Sequence, residues 1–161
     1  MEVENPLIEQ STIISWGRND LGCLMRKKES DLSEGGLFSY HSDIRNFVSV
    51  VSNVYHTAAV TATGELYTCG QNDEGQVSDN ASSVIERPQI VEALSNHRVV
   101  SVACGLNHTI CVTASGCAIS FGSNESGQLG HTSSKLSKVG PKVVNFSLPA
   151  RRTAIIVTKV A

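Results

Sequence analysis

The sequence predicts an all-β chain built from about two and a half four-stranded antiparallel blades. Three observations carry that expectation: an internal period of 52–53 residues, short β-branched apolar runs, and a glycine at each corner between runs. The period shows first in three segments: SWGRNDLGCL from Ser15, TCGQNDEGQV from Thr68 and SFGSNESGQLG from Ser120. All three share the order aromatic-or-Cys, Gly, x, Asn, Asp/Glu, x, Gly. Gly17, Gly70 and Gly122 lie 53 and 52 residues apart, and Gly22, Gly75 and Gly127 keep the same two spacings. His56 and His108 are 52 apart, as are Gly64 and Gly116, while Pro88 and Pro141 are 53 apart.

Each element follows from its residues. The run VSVVSN and its counterpart VVSVACG, which ends at Cys104 and Gly105, read as first strands. HTAAVT and HTICVT, opened by His56 and His108, read as second strands. The stretches Ala62-Thr63-Gly64 and Ala114-Ser115-Gly116 are tight-turn signals, and ELYTCG and CAISFG return as third strands. A longer polar connection, SDNASSVIER, leads to a fourth piece, QIVEAL, after Pro88. In the Gly-x-Asn segments, glycine permits positive φ and the Asn side chain bonds to nearby backbone N–H groups. The residue before the first glycine is large in two copies, Trp16 and Phe121, with Cys69 in the middle copy. It is expected to pack between blades.

Bulk properties exclude several classes. Of 161 residues, 40% are apolar and 17% charged, so disorder is not expected. A net charge of −2 gives no basic footprint for nucleic acid. The N-terminal MEVENPLIEQ lacks a basic and apolar leader, and no run of eighteen apolar residues occurs, so the expected compartment is cytoplasmic or nuclear. Five cysteines with no CxxC spacing point to neither a disulfide framework nor a zinc site.

The string GELYTCGQNDEGQV, then a proline, then RVVSVACGLNHTICVT, resembles the regulator of chromosome condensation repeat. Residues 64–113 match as a second, complete repeat. Residues 13–63 read as a first, divergent repeat, 116–161 as a third repeat incomplete at its C-terminal end, and 1–12 as an N-terminal tail. The resemblance implies a seven-bladed β-propeller, of which this chain would be a partial β-propeller of about two and a half four-stranded antiparallel blades. The expectation is a truncated member of the family or a chain that completes a ring by oligomerising. Alone, it would leave strand edges and apolar faces uncovered and be marginally stable.

Catalysis is not expected. No Ser-His-Asp arrangement, HExxH or phosphate-binding loop is present, and His56 and His108 read as corner residues bonded to backbone or turn side chains. Cys104 and Cys111 read as small buried hydrophobes, with Cys117 more exposed beside its turn. No metal or other cofactor is expected. The acidic turn residues Asp20, Asp73, Glu74 and Glu125 are the candidate partner-facing loop. The reading is therefore a non-catalytic protein-interaction module with a protein partner, neither nucleic acid nor membrane. The alternative, implied by the family resemblance, is a guanine-nucleotide exchange factor, or part of one, for a Ran-type small GTPase. Light sensing, known in the plant ultraviolet-B receptor of the same family, depends on packed tryptophans. Here there is a single tryptophan, Trp16, and the equivalent positions of the other copies hold Cys69 and Phe121, so no tryptophan cluster is expected.

Overall fold

In a computed structural model of the chain, residues 13–15, 17–25, 38–39, 46–79, 81–130 and 139–144 are described. Trp16, the tail 1–12 and the end of the third repeat beyond 144 lie outside the described residues. Among the described residues the order is all-β apart from one 3-10 turn. A two-stranded sheet pairs β1 (Ile14–Ser15) with β2 (Phe38–Ser39). The middle sheet runs β3-β4-β5-β6, from β3 (Phe47–Ser52), β4 (His56–Thr61), β5 (Leu66–Gln71) and β6 (Val84–Ile90). The last sheet is the same meander again, from β7 (Val99–Cys104), β8 (His108–Thr113), β9 (Ala118–Gly122) and β10 (Val139–Val144). All pairings are antiparallel.

The sheets stack face to face. β4 is buried at all six positions, because it is covered on both faces rather than one. Ala58 and Val60 join Leu66 and the last sheet's Val99, Val102, Cys111, Ile119 and Phe121 in one apolar cluster. Ala59 points the other way, into a cluster with Met25, Phe47 and Cys69. Cys69 and Phe121, one period apart, are each fully buried between neighbouring sheets. The strand β7 shows why buried apolar residues recur there at i and i+3 rather than alternating. Both pairings β3–β4 and β7–β8 slip register after their first residue pair, so Val99 and Val102 both turn inward.

The fourth strand differs from the sequence expectation. It does not begin after Pro88. β6 runs through the proline, and Glu92–Leu94 of QIVEAL form the 3-10 turn instead. Proline is tolerated because β6 is an edge strand and is irregular there: residues 86–88 stand opposite Cys69 alone. Pro141 repeats the arrangement in β10, where residues 140–141 stand opposite Phe121.

The turn joining β4 to β5 matches the one joining β8 to β9. The Thr61 hydroxyl bonds the Thr63 hydroxyl at 2.8 Å and accepts the Glu65 amide at 3.0 Å. Thr113 does the same with Ser115 at 2.8 Å and Cys117 at 3.1 Å. The stretch 64–113 therefore gives β5 and β6 to one sheet and β7 and β8 to the next.

Candidate functional site

Two constellations gather at one end of the sheets: a rim of repeated turns and the polar seam beneath it. The rim turns are built three times over. Asn19, Asn72 and Asn124 accept, through Oδ1, the amides of Leu24, Val77 and Leu129 at 2.9, 3.0 and 3.0 Å. Their carbonyls accept the amides of Gly22, Gly75 and Gly127, each at 3.1 Å. The hydroxyls of Ser15, Thr68 and Ser120 then tie each loop back by donating to the carbonyls of Leu24, Val77 and Leu129 at 2.8, 2.7 and 2.9 Å. Asn72 closes its loop further, accepting the Ser78 amide at 3.0 Å and donating to Ser82 O at 3.0 Å. A glycine must open each turn. Gly70 and Gly122 have φ of +117° and +108°, and a Cβ there would run into the backbone at Tyr55–His56 or Asn107–His108.

These turns hold the acidic residues in three different settings. Asp73 and Glu125 occupy equivalent places and are exposed. Asp73 accepts a hydrogen bond from Gln71 Nε2 at 2.5 Å. Asp20 sits at the same turn position and pairs with Arg18 at 2.7 Å on an open surface, where such a pair contributes little. Glu74 is one residue further on. It is half-buried, and its Oε2, like Nε2 of the fully buried Gln76, finds no hydrogen-bond partner among the described residues. Val54 and Leu106 stand exposed at the tips of the β3–β4 and β7–β8 turns on the same rim, 73% and 55% accessible.

Beneath the rim runs the seam between the middle and last sheets. Asn53 Oδ1 accepts the amides of Tyr55 at 2.7 Å and His56 at 2.8 Å, which fixes which end of the side chain is nitrogen. Its Nδ2 therefore donates to His56 Nδ1 at 3.1 Å and across the seam to Gly105 O. On the other side of the ring, His56 Nε2 meets the Thr109 hydroxyl at 2.9 Å. That hydroxyl donates to Gln76 O at 2.7 Å, so it accepts from His56, whose proton lies on Nε2. The bond from Thr57 to Cys23 O, at 2.6 Å, repeats the Thr109 bond one period earlier.

His56 is fully buried, and burial, aided by the nearby His108, pulls its pKa down to about 4. His108 looks the same in the sequence but sits differently. Gly105 replaces Asn53 in its turn, and the His108 ring fills the space that a side chain there would need. Burial alone lowers its pKa. Asn53, Gln76 and Thr109 escaped the sequence reading as junction residues. The Thr was visible in both His-Thr pairs, but its partner lies in another sheet.

Catalytic chemistry finds no support in these thiols. Burial pushes Cys69, Cys104 and Cys111 each up to about 12, the reverse of an activated nucleophile. Among the described residues no three His, Cys, Asp or Glu side chains are grouped to hold a metal ion, and no helix is long and apolar enough to cross a membrane.

Two family models, both described as the regulator of chromosome condensation (RCC1) repeat, match this chain: one over residues 63–112, the other over 47–76 and 99–128. Together they span residues 47–128, which is half of the chain. Human Protein RCC2 is 34% identical over 115 residues, covering 71% of this chain and 19% of the relative. The ultraviolet-B receptor UVR8 of Arabidopsis thaliana is 33% identical over 141 residues, covering 87% of this chain and 32% of the relative. The crystal structure of Prp20p from Saccharomyces cerevisiae superposes with a TM-score of 0.71 at 19% identity, covering 84% of this chain and 34% of Prp20p. The chain thus spans between a fifth and a third of the length of these relatives. With the same meander twice, the same turn three times and both models in register with them, the chain belongs to the regulator of chromosome condensation repeat family of β-propellers.

Proposed function

We propose that this chain is a non-catalytic protein-interaction module, with its contacts made by the rim of repeated Asn turns. One observation carries the reading: the Asn turns are locked by their own side chains while Asp73 and Glu125 project from them into solvent, beside Val54 and Leu106 exposed on the neighbouring β3–β4 and β7–β8 turns. A stiff scaffold that displays charged and apolar tips on loops is suited to recognition. The acidic tips favour a basic partner surface. Residues 13–63, 64–113 and 116–161 act in this reading as successive repeats that each contribute a piece of the rim.

A second reading is that the chain takes part in nucleotide exchange on a Ran-type small GTPase. It is favoured by the likeness to Prp20p, a protein described with its binding to Gsp1p and histones. Exchange of this kind displaces a nucleotide and breaks no bond, so it needs no catalytic triad.

One assay tests both. The purified chain is titrated against core histones and against a Ran-type GTPase loaded with fluorescent GDP, alongside the double variant Asp73→Lys, Glu125→Lys. Saturable binding weakened at least tenfold by the charge reversal supports the rim as the interaction surface. Accelerated release of the nucleotide supports the second reading. Binding indifferent to the reversal, or no binding to either, removes the rim assignment.

A further inference from the structure

His56 is held in a setting that only its neutral form satisfies. Its Nε2–H donates to Thr109, whose own proton is committed to Gln76 O. Its Nδ1 accepts from Asn53 Nδ2. Asn53 cannot turn its oxygen toward the ring, because that oxygen already accepts two backbone amides and its nitrogen holds Gly105 O in the next sheet. A proton on Nδ1 would set N–H against N–H in a fully buried site.

We propose that the Asn53–His56–Thr109 contact is an acid-operated latch between the middle and last sheets: protonation of His56 expels its ring from the seam and lets the two sheets part. The sheets meet there through β3, β4 and β7, and the polar bonds crossing between them include Asn53 to Gly105 O, His56 to Thr109, Cys104 Sγ to Val51 O at 3.7 Å and the Val99 amide to Gly64 O at 2.8 Å. Two of these bonds end on the His56–Asn53 pair.

The surroundings do not compensate the charge. His108 on β8 opposes a second positive charge. Cys69 on β5 is a buried thiol and Cys104 on β7 a half-buried one, and both are held neutral. The carboxylates on the loop that supplies the Gln76 carbonyl are Asp73 and Asp79, both exposed, and Glu74, half-buried with Oε2 unpaired; none of them acts on the His56 ring. The folded value of about 4 lies below the ordinary 6.5 of an open histidine. The latch is therefore fully closed above pH 6.5, weakens as pH falls below it, and has lost its whole contribution near pH 4. Between pH 7 and pH 5 the opening equilibrium should rise about twentyfold.

The test is amide exchange of the full chain at pH 7 and pH 5, corrected for intrinsic rates. The Val99 amide, which crosses between the sheets, should lose about twentyfold in protection, while amides paired within β4 and β5 hold theirs. His56→Gln keeps a donor near the Nε2 position and cannot titrate, so its Val99 amide should be indifferent to the same change. Should that variant fail to fold, ring nitrogen shifts of the unaltered chain decide. His56 must remain the neutral Nε2–H form to below pH 5, while Val99 protection falls from about pH 6.5 and levels off where the buried ring itself titrates. A His56 that titrates near 6.5, an Nδ1–H form, or exchange that rises equally in all strands would overturn the latch.

Discussion

The hydroxyl of Thr109 and the backbone carbonyl of Gln76 meet at 2.7 Å across the boundary between two sheets. The same hydroxyl is the acceptor for the ring of His56, so one side chain joins three segments that are distant in sequence. Replacing Thr109 by Val keeps the shape and strands both partners. Each buried group left unpaired should cost about 1–3 kcal/mol. Urea unfolding should show a lowered midpoint for Thr109→Val and near-normal behaviour for Thr109→Ser; equal midpoints for Val and Thr would remove the bond from the stability of the seam.

The Asn turns should not be equally sensitive. Asn72 is buried, accepts two amides and donates to Ser82 O, whereas half-buried Asn124 accepts the Leu129 amide. Asn72→Ala should destabilise the chain by about 2–4 kcal/mol, more than Asn124→Ala, since the bonds that Asn72 makes to the Val77 and Ser78 amides are buried while the Asn124 bond to Leu129 is partly open to solvent. Thermal melts of the two variants side by side would check the order.

Phe121 is fully buried in the apolar cluster shared by the middle and last sheets. Truncation to Ala should cost about 3–5 kcal/mol, because the residue fills space between two sheets that cannot collapse independently. Phe121→Leu should recover most of that loss in the same denaturation measurement, and a Leu variant as weak as Ala would argue against a packing role.

The thiols should separate sharply by reactivity. Cys69 and Cys111 are buried with pKa values near 12, so their thiolate fraction at pH 8 is minute. Half-exposed Cys117, beside the Ser115 turn, should react with iodoacetamide first. Burial and the charge of Asp20 push Cys23 upward, so it should follow Cys117 despite its partial exposure. Peptide mapping of a timed alkylation at pH 8 reads the order directly, and early labelling of Cys69 or Cys111 would contradict the burial.

Much of the fold was legible because its devices are local. The Asn and Gly of each turn act within six residues, so Asn72 and Gly75 announce themselves in any copy of the repeat. The sandwiched strands were legible as β-branched runs for the same reason. The seam was not legible, because its meaning is spread over partners such as His56 and Thr109, 53 residues apart. His56 and His108 are indistinguishable by period, yet a single difference three residues upstream, Asn53 against Gly105, gives the two rings different environments. The fourth strand was misplaced because Pro88 reads as a stop, and only the sheet shows that it falls on an irregular edge.

The matched turns Thr61–Glu65 and Thr113–Cys117 carry a consequence for how such arrays can change in length. Excising the 52 residues from one turn to the next would splice β4 directly onto β9 through a corner with the same bonding. The hybrid would still be a four-stranded meander, with its outer half inherited from a neighbour. Duplication at the same junctions works in reverse, so the array can grow or shrink by whole periods without leaving any sheet half-made.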